Sequence, residues 1–275
     1  MIFNAFTIII PSYKDYRFVR PKIDNLMKLR YPADHIEILF VKGGCTKEQI
    51  IVLNTGVPLI KVIHTTQVGK TNQLNKGLLK AQGDIVMVTD IDSLLPPHTL
   101  ECINLEMQKK GVFCVGVYSI PKPAHVIDRL YWAQANYWRY LESRFCTASH
   151  VTATCYAFKR LIDQNTCRAG LIDHDVIADD VYFPTLFNFN GLKTVILPNV
   201  RVIESRNPST VDELVKHKSR KGNAFLRELL RFVYMLPRAR GRYKIIFLVR
   251  LLQFMLISGW TYPFYQQDSN FKKVR

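Results

Sequence analysis

The chain has 275 residues, 48% of them apolar, which is enough for one enzyme-sized core and excludes a disordered polymer. Gly and Pro, at 13 each, stand near their average usage and exclude a fibrous or low-complexity chain. Lys and Arg outnumber Asp and Glu by 38 to 22, a surplus of 16 that points to an anionic partner: phosphorylated substrate, nucleic acid or membrane surface.

The first hundred residues alternate strand and helix. Phe6 to Ile10 is a continuous apolar run ending at Pro11-Ser12, as expected of a buried parallel strand. Residues 16–29 carry apolar positions at helical spacing, and Ile36 to Val41 is a second strand closed by Gly43-Gly44. Residues 46–54 read as a helix, with Thr46 as N-cap and Glu48 in the first turn. Leu59 to Ile63 is a third strand, Lys70 to Ala81 a third helix, and Ile85 to Val88 a fourth strand that stops at Asp90-Ile91-Asp92. This order predicts an α/β fold, a mostly parallel sheet flanked by helices, with ligands bound beyond the carboxyl ends of its strands.

The second half is less regular. Residues 126–142 form an aromatic-rich helix, Val151 to Phe158 a strand, and Asp173 to Asn188 a helix with acidic residues at its start. Thr194 to Leu197 and Val200 to Ile203 read as two strands, followed by apolar helices over Ala224 to Leu236 and Ile245 to Ile257. The six cysteines, Cys45, Cys102, Cys114, Cys146, Cys155 and Cys167, show no CxxC pair and read as free thiols in a reducing compartment. Met-Ile-Phe-Asn-Ala-Phe at the start has no basic n-region, so no secretory leader is expected and the reading is cytoplasmic.

Asp90-Ile91-Asp92 is the sharpest chemical feature. Two carboxylates where a strand relaxes into a loop can reach one hard cation such as Mg²⁺ or Mn²⁺, whose other positions take water and phosphate oxygens. The bland alternative is an Asp-rich turn closing a strand. For Asp173, Asp175, Asp179 and Asp180 the bland alternative is N-terminal helix acidity favoured by the macrodipole.

Several ordered stretches together resemble family 2 glycosyltransferases. Phe6 to Tyr13 resembles the opening strand of that family, and Gly69 to Asp92 its helix and strand leading into a metal-binding DxD. Thr152 to Arg160 is similar to the stretch lining the acceptor side, and Ile177-Ala178-Asp179-Asp180 sits where the family has its acidic pair. Pro208 and Lys216 to Gly222 resemble a later basic motif. The resemblance implies a GT-A fold over residues 1–210, with a donor half at about 1–100 and an acceptor half at about 101–210. Residues 211–275 are expected to form a basic, apolar C-terminal helical region for membrane association.

It also implies roles. Pro11, Ser12, Tyr13, Gly43, Lys70, Asp90, Asp92 and Arg220 would bind a nucleotide-diphosphate sugar, a UDP-sugar first among them. Asp92, then Asp90, would hold Mg²⁺ or Mn²⁺. Asp180 would be the general base of an inverting single displacement, with Asp179 beside it in the catalytic pair.

Three departures qualify the resemblance. Val41-Lys42-Gly43-Gly44-Cys45 replaces the usual acidic stretch after the second strand, which puts uracil recognition there in doubt. His217-Lys218-Ser219-Arg220-Lys221 keeps only the arginine of the processive Gln-x-x-Arg-Trp motif, which favours addition of one sugar. Asp179 stands where the family has glutamate. The aromatics Tyr131, Trp132, Tyr137, Trp138 and Tyr140 read first as core and second as a stacking floor for a sugar, and His150 and His174 read as structural.

Residues 201–275 hold 16 basic and 5 acidic side chains, a surplus of 11. Arg238, Arg240, Arg242 and Lys244 precede the last apolar run, and Trp260, Tyr262, Phe264 and Tyr265 follow it. An arginine at the centre of a span costs roughly 2.5 to 3.5 kcal/mol, so Arg250 brings insertion close to break-even. The expectation is attachment to the cytoplasmic face of an anionic membrane, interfacial or as a single span, with a lipid-linked or membrane-proximal glycan acceptor. The alternatives are a nucleic-acid-modifying sugar transferase, which the apolar, aromatic C-terminus disfavours, and a catalytically silent binding module.

Overall fold

The computed structural model describes residues 2–53, 59–122, 126–160, 172–205, 210–239 and 241–271; the side chains of Leu53, Val211, Asp212 and residues 257–271 fall outside the description. Cys167, Pro208, Arg240 and the side chains of Trp260, Tyr262, Phe264 and Tyr265 therefore lie outside it.

One nine-stranded sheet runs β3-β4-β2-β1-β5-β8-β7-β9-β6. Its first part is made of β1 (Phe6–Ser12), β2 (Ile36–Gly43), β4 (Leu59–Thr65) and β5 (Ile85–Thr89), all parallel. These apolar strands alternate their side chains between two cores. Ile8, Ile10, Ile38, Phe40 and Met87 face one side, under α1 (Tyr16–Leu26) and α3 (Thr99–Met107). Ile9, Leu39, Val41, Val86 and Val88 face the other, under α2 (Lys70–Lys80) and α5 (Asp179–Phe189). The chain enters β5 through Gly83, whose N–H donates to Thr7 Oγ1 at 2.8 Å. A Cβ there would sit 2.6 Å from the backbone of Phe6, so only glycine fits the approach.

The other part is mixed. β8 (Cys155–Lys159) joins β5 and β7 (Val112–Pro121) antiparallel, β9 (Lys193–Glu204) runs parallel to β7, and the short β6 (Ser93–Leu94) caps β9. The two strands expected over 194–203 are one strand carrying a register shift opposite Val117 and Tyr118, around Pro198, which has no N–H to donate.

Residues 46–53 are not a helix. Gln49–Leu53 is β3, an edge strand antiparallel to β4, and the β-branched run Ile50-Ile51-Val52 outweighs the cap-like Thr46 and Glu48. The helix expected from Asp173 starts only at Asp179, because side chains of α2 hold residues 172–178 in an irregular path.

Helix α4 (Val126–Phe145) lies over β7 and β9. The C-terminal α6 (Val211–Arg231), a 3-10 segment (Val233–Arg238) and α7 (Gly241–Phe271) pack onto the α2 and α5 side. Leu229, Phe232, Met235, Tyr243, Ile246, Phe247 and Phe254 join the same apolar core as Val88 and Phe183. Among the described residues, no helix is long and apolar enough to cross a membrane. Cys45, Cys102, Cys114, Cys146 and Cys155 are free.

Candidate active site

The carboxyl ends of β1 and β5 open on a cleft of about 730 Å³, walled opposite by the start of α5 and by α6. Four polar residues of the segment from Lys70 to Asn75 have a task there. Lys70 Nζ lies 3.1 Å from Asp90 Oδ1 and 3.1 Å from Asp179 Oδ1, bridging strand end and helix start. Thr71 Oγ1 donates to Val176 O at 2.6 Å, and Asn75 exchanges two 2.7 Å hydrogen bonds with the Ile172 backbone. Gln73 Nε2 donates to Ser12 O at 2.5 Å. Helix α2 thus fixes both the end of β1 and the segment that delivers Asp179 and Asp180.

The loop after β5 is splinted from behind by α1. Lys22, fully buried, donates from Nζ to Thr89 Oγ1 at 2.9 Å and to Ser93 O at 2.6 Å, gripping both ends of Asp90-Ile91-Asp92. Burial pulls its pKa down to about 8, opposed by Cys155, Asp90 and Asp92. One turn on, Asn25 accepts from Leu95 N at 2.8 Å and donates to Leu95 O at 2.9 Å. Sequence reading missed both residues; a lysine at an otherwise buried helix position was the available signal.

The two carboxylates at the start of α5 differ in their surroundings. Asp179 is held on both oxygens, by Tyr156 Oη at 2.6 Å on Oδ2 and by Lys70 on Oδ1. Burial and then the Asp179 carboxylate raise the Tyr156 pKa well above 10, so the phenol stays a donor. Asp180 is buried too, and burial first, then Asp179, raises its pKa to about 7, against the pull of Lys70 and Lys221. Burial opposes the charge on Lys70, yet Asp179, Asp90 and Asp180 outweigh it and raise its pKa above the ordinary value. A carboxyl poised near neutrality is suited to taking a proton.

Pro11, Lys70, Asp90, Asp92, Asp179, Asp180 and Arg220 all line this cleft. Ser12, Tyr13 and Gly43 stand beside it at the ends of β1 and β2: Ser12 is tied to Gln73, Tyr13 is exposed, and Gly43 is buried against Gln73. Lys42 lies 4.7 Å over the Tyr16 ring.

Asp15, Glu204 and His217 also line the cleft and were not singled out in the sequence. His217 was visible within the basic run, without a role. Its Nδ1 is buried with no hydrogen-bond partner among the described residues, and burial, then Lys221, Arg220 and Lys218, push its pKa down to about 3. It is therefore a neutral imidazole.

Behind Asp180 lies a smaller chamber of about 80 Å³, whose walls include Tyr131, Trp132, Thr152, Phe225 and Phe254. Lys218 Nζ pairs with Asp128 at 2.8 Å and sits 3.8 Å over the Tyr131 ring, so part of the basic motif points inward. Of the aromatic stretch, Trp132 is buried and Tyr140 packs on the core, whereas Tyr131, Tyr137 and Trp138 are exposed. His150 is buried against Phe225 and Phe254, and His174 bonds Asn72 at 3.0 Å.

The profile of glycosyl transferase family 2 matches residues 7–166, more than half of the chain. The chain belongs to glycosyl transferase family 2. This family 2 chain is similar in structure to the mannosyltransferase PcManGT from Pyrobaculum calidifontis, solved in complex with GDP-Man and Mn2+. The TM-score is 0.74 at 20% identity, covering 96% of this chain and 73% of that one. It is also similar to S. aureus TarS 1–349 in complex with UDP-GlcNAc, with TM-score 0.62 and 12% identity over 98% of this chain and 76% of that one. The likeness establishes the GT-A fold. No curated protein matches the chain in sequence.

Proposed function

We propose that this glycosyltransferase moves one sugar from a nucleotide-diphosphate sugar to a hydroxyl of a lipid-linked or membrane-proximal glycan, with inversion. The observation that carries the reading is Asp180, buried and lining both the cleft that holds Asp90 and Asp92 and the chamber behind it. The acceptor oxygen attacks the anomeric carbon from the chamber side. Its proton passes to the Asp180 carboxylate as the bond to the diphosphate oxygen breaks, and the leaving diphosphate takes the electron pair. Lys70, Arg220 and Lys221 line the cleft as cations for that developing charge. Tyr156 and Lys70 hold Asp179 rigid, and Asp179 in turn keeps Asp180 basic.

The donor set fits a divalent cation. Asp90 and Asp92 offer hard oxygens on one wall of the cleft, just beyond the end of β5. Among the described residues no three His, Cys, Asp or Glu side chains close into a cage, so a cation here would complete its shell with water and donor oxygens. Asp92 and Asp90 would hold it, and bound there it supplies Lewis-acid neutralisation of the leaving diphosphate. PcManGT, with its GDP-Man and Mn2+, supports this reading of the cofactor, Mg²⁺ or Mn²⁺.

The test is nucleotide release from a donor panel that includes GDP-mannose and UDP-GlcNAc, with Mn²⁺ or Mg²⁺ and with chelator. Release from at least one donor, abolished by chelator, is expected. Silence across the panel, or release indifferent to chelator, contradicts the proposal.

A further inference from the structure

Over residues 241–256, helix α7 is apolar on both faces. One face, with Tyr243, Ile246, Phe247 and Phe254, is buried in the core, and Arg250 beside them reaches Glu142 of α4 at 2.6 Å. The opposite face carries Ile245, Leu248, Val249, Leu252, Met255 and Leu256, each between 44% and 60% exposed. A helix on the surface of a soluble domain turns polar residues outward, and a contiguous apolar patch of this kind marks a binding surface.

The patch does not end with α7. Helix α4 runs alongside, tied by Arg250 to Glu142 and by Arg242, whose guanidinium lies 4.9 Å over the Phe145 ring. It adds Tyr137, Trp138 and Phe145, each at least half exposed. Along α7 the exposed charges have one sign: Arg242 and Lys244, with Arg238 just before the helix, are exposed, and residues 241–256 contain no Asp or Glu. Apolar side chains, half-exposed Trp and Tyr, and a basic rim are the surface complement of an anionic lipid interface.

We propose that the outer faces of α7 and α4 together form a docking surface for an anionic bilayer, with α7 lying flat in the interface. A flat pose follows from the packing: inserting α7 across the bilayer would strip Tyr243, Ile246, Phe247 and Phe254 from the core. Phe254, on the packed face of α7, also walls the chamber beside Asp180, so a docked enzyme has its acceptor chamber next to the lipid. That last point rests on the acceptor reading above; the docking itself does not.

Sedimentation of the full-length protein with vesicles of phosphatidylcholine alone, or with phosphatidylglycerol added, tests the surface. Wild-type protein should bind the anionic vesicles and lose binding as salt rises. The Val249→Glu/Leu252→Glu variant should bind at least about 10-fold more weakly at an unchanged melting temperature and with unchanged donor hydrolysis. Should that variant fold poorly, Arg242→Ser/Lys244→Ser on the rim should give the same loss for anionic vesicles. Equal vesicle binding by a folded variant, or a wild-type protein that ignores both vesicle types, overturns the proposal. So does a wild-type dimer that Val249→Glu/Leu252→Glu turns into a monomer, because the face would then belong to a second copy. Donor hydrolysis by the same preparations reports separately on the catalytic reading.

Discussion

Asp180→Asn is expected to lower turnover by about 10²–10⁴-fold, the usual worth of a positioned base, while donor affinity stays within about twofold. The amide is nearly isosteric, so the cleft keeps its shape and loses only a proton acceptor. The wild-type enzyme should show the matching pH signature. On the proposed mechanism Asp180 acts as the carboxylate, so activity should be present above its pKa, which burial and Asp179 raise to about 7, and should fall as pH drops below it. The variant should lose that limb. Asp179→Asn should cost less turnover, because both oxygens of Asp179 are already engaged by Tyr156 and Lys70. Equal losses for the two variants, measured as turnover and donor affinity, would mean that the pair acts as one unit and that Asp180 has no separate role.

Asp92→Asn is the second large effect. Removing a direct carboxylate ligand should weaken Mn²⁺ binding, and transfer with it, by at least about 10²-fold, beyond the 10–100-fold typical of losing an outer-shell partner. Asp90→Asn should be milder, since Asp90 Oδ1 already pairs with Lys70 at 3.1 Å. Electron paramagnetic resonance of free Mn²⁺ reads affinity independently of turnover. Full Mn²⁺ affinity in folded Asp92→Asn would remove Asp92 from the metal site.

The parallel half of the fold was readable because its code is local. Continuous apolar strands ending in Pro-Ser, Gly-Gly and Asp-Ile-Asp, separated by helical periods, leave little choice of topology, and β1, β2, β4, β5 and α2 stand where the pattern put them. β3 was misread because a cap-like Thr46 and Glu48 were weighed above the strand-favouring Ile50-Ile51-Val52. Neither α3 nor β7 was anticipated, although Pro96-Pro97 before the one and the run Val112 to Val117 in the other were available signals.

The site divides in the same way. Asp90, Asp92, Asp179 and Asp180 stood out by residue type and by motif order. What makes them work did not: the splint of Lys22 and Asn25 acts across about 70 residues of chain. The ties of Thr71 and Asn75 to residues 172–176 span about 100. No periodicity encodes such contacts. The basic surplus was likewise only partly legible as an external feature, because Lys218 and Arg250 turn inward onto Asp128 and Glu142. Arg238, Arg242 and Lys244 stand outside at the rim of an apolar face, a placement that composition alone does not give.

Single displacement with Asp180 as base is the centre of this account, and the configuration of the sugar first released from the donor by water tests it most directly. Proton NMR, recorded faster than the free sugar equilibrates, distinguishes the anomers without requiring the natural acceptor. A first-formed sugar of inverted configuration, released at a rate that Asp180→Asn abolishes, is the result expected. Retained configuration would exclude a back-side displacement, and would contradict the assignment of Asp180 as its base.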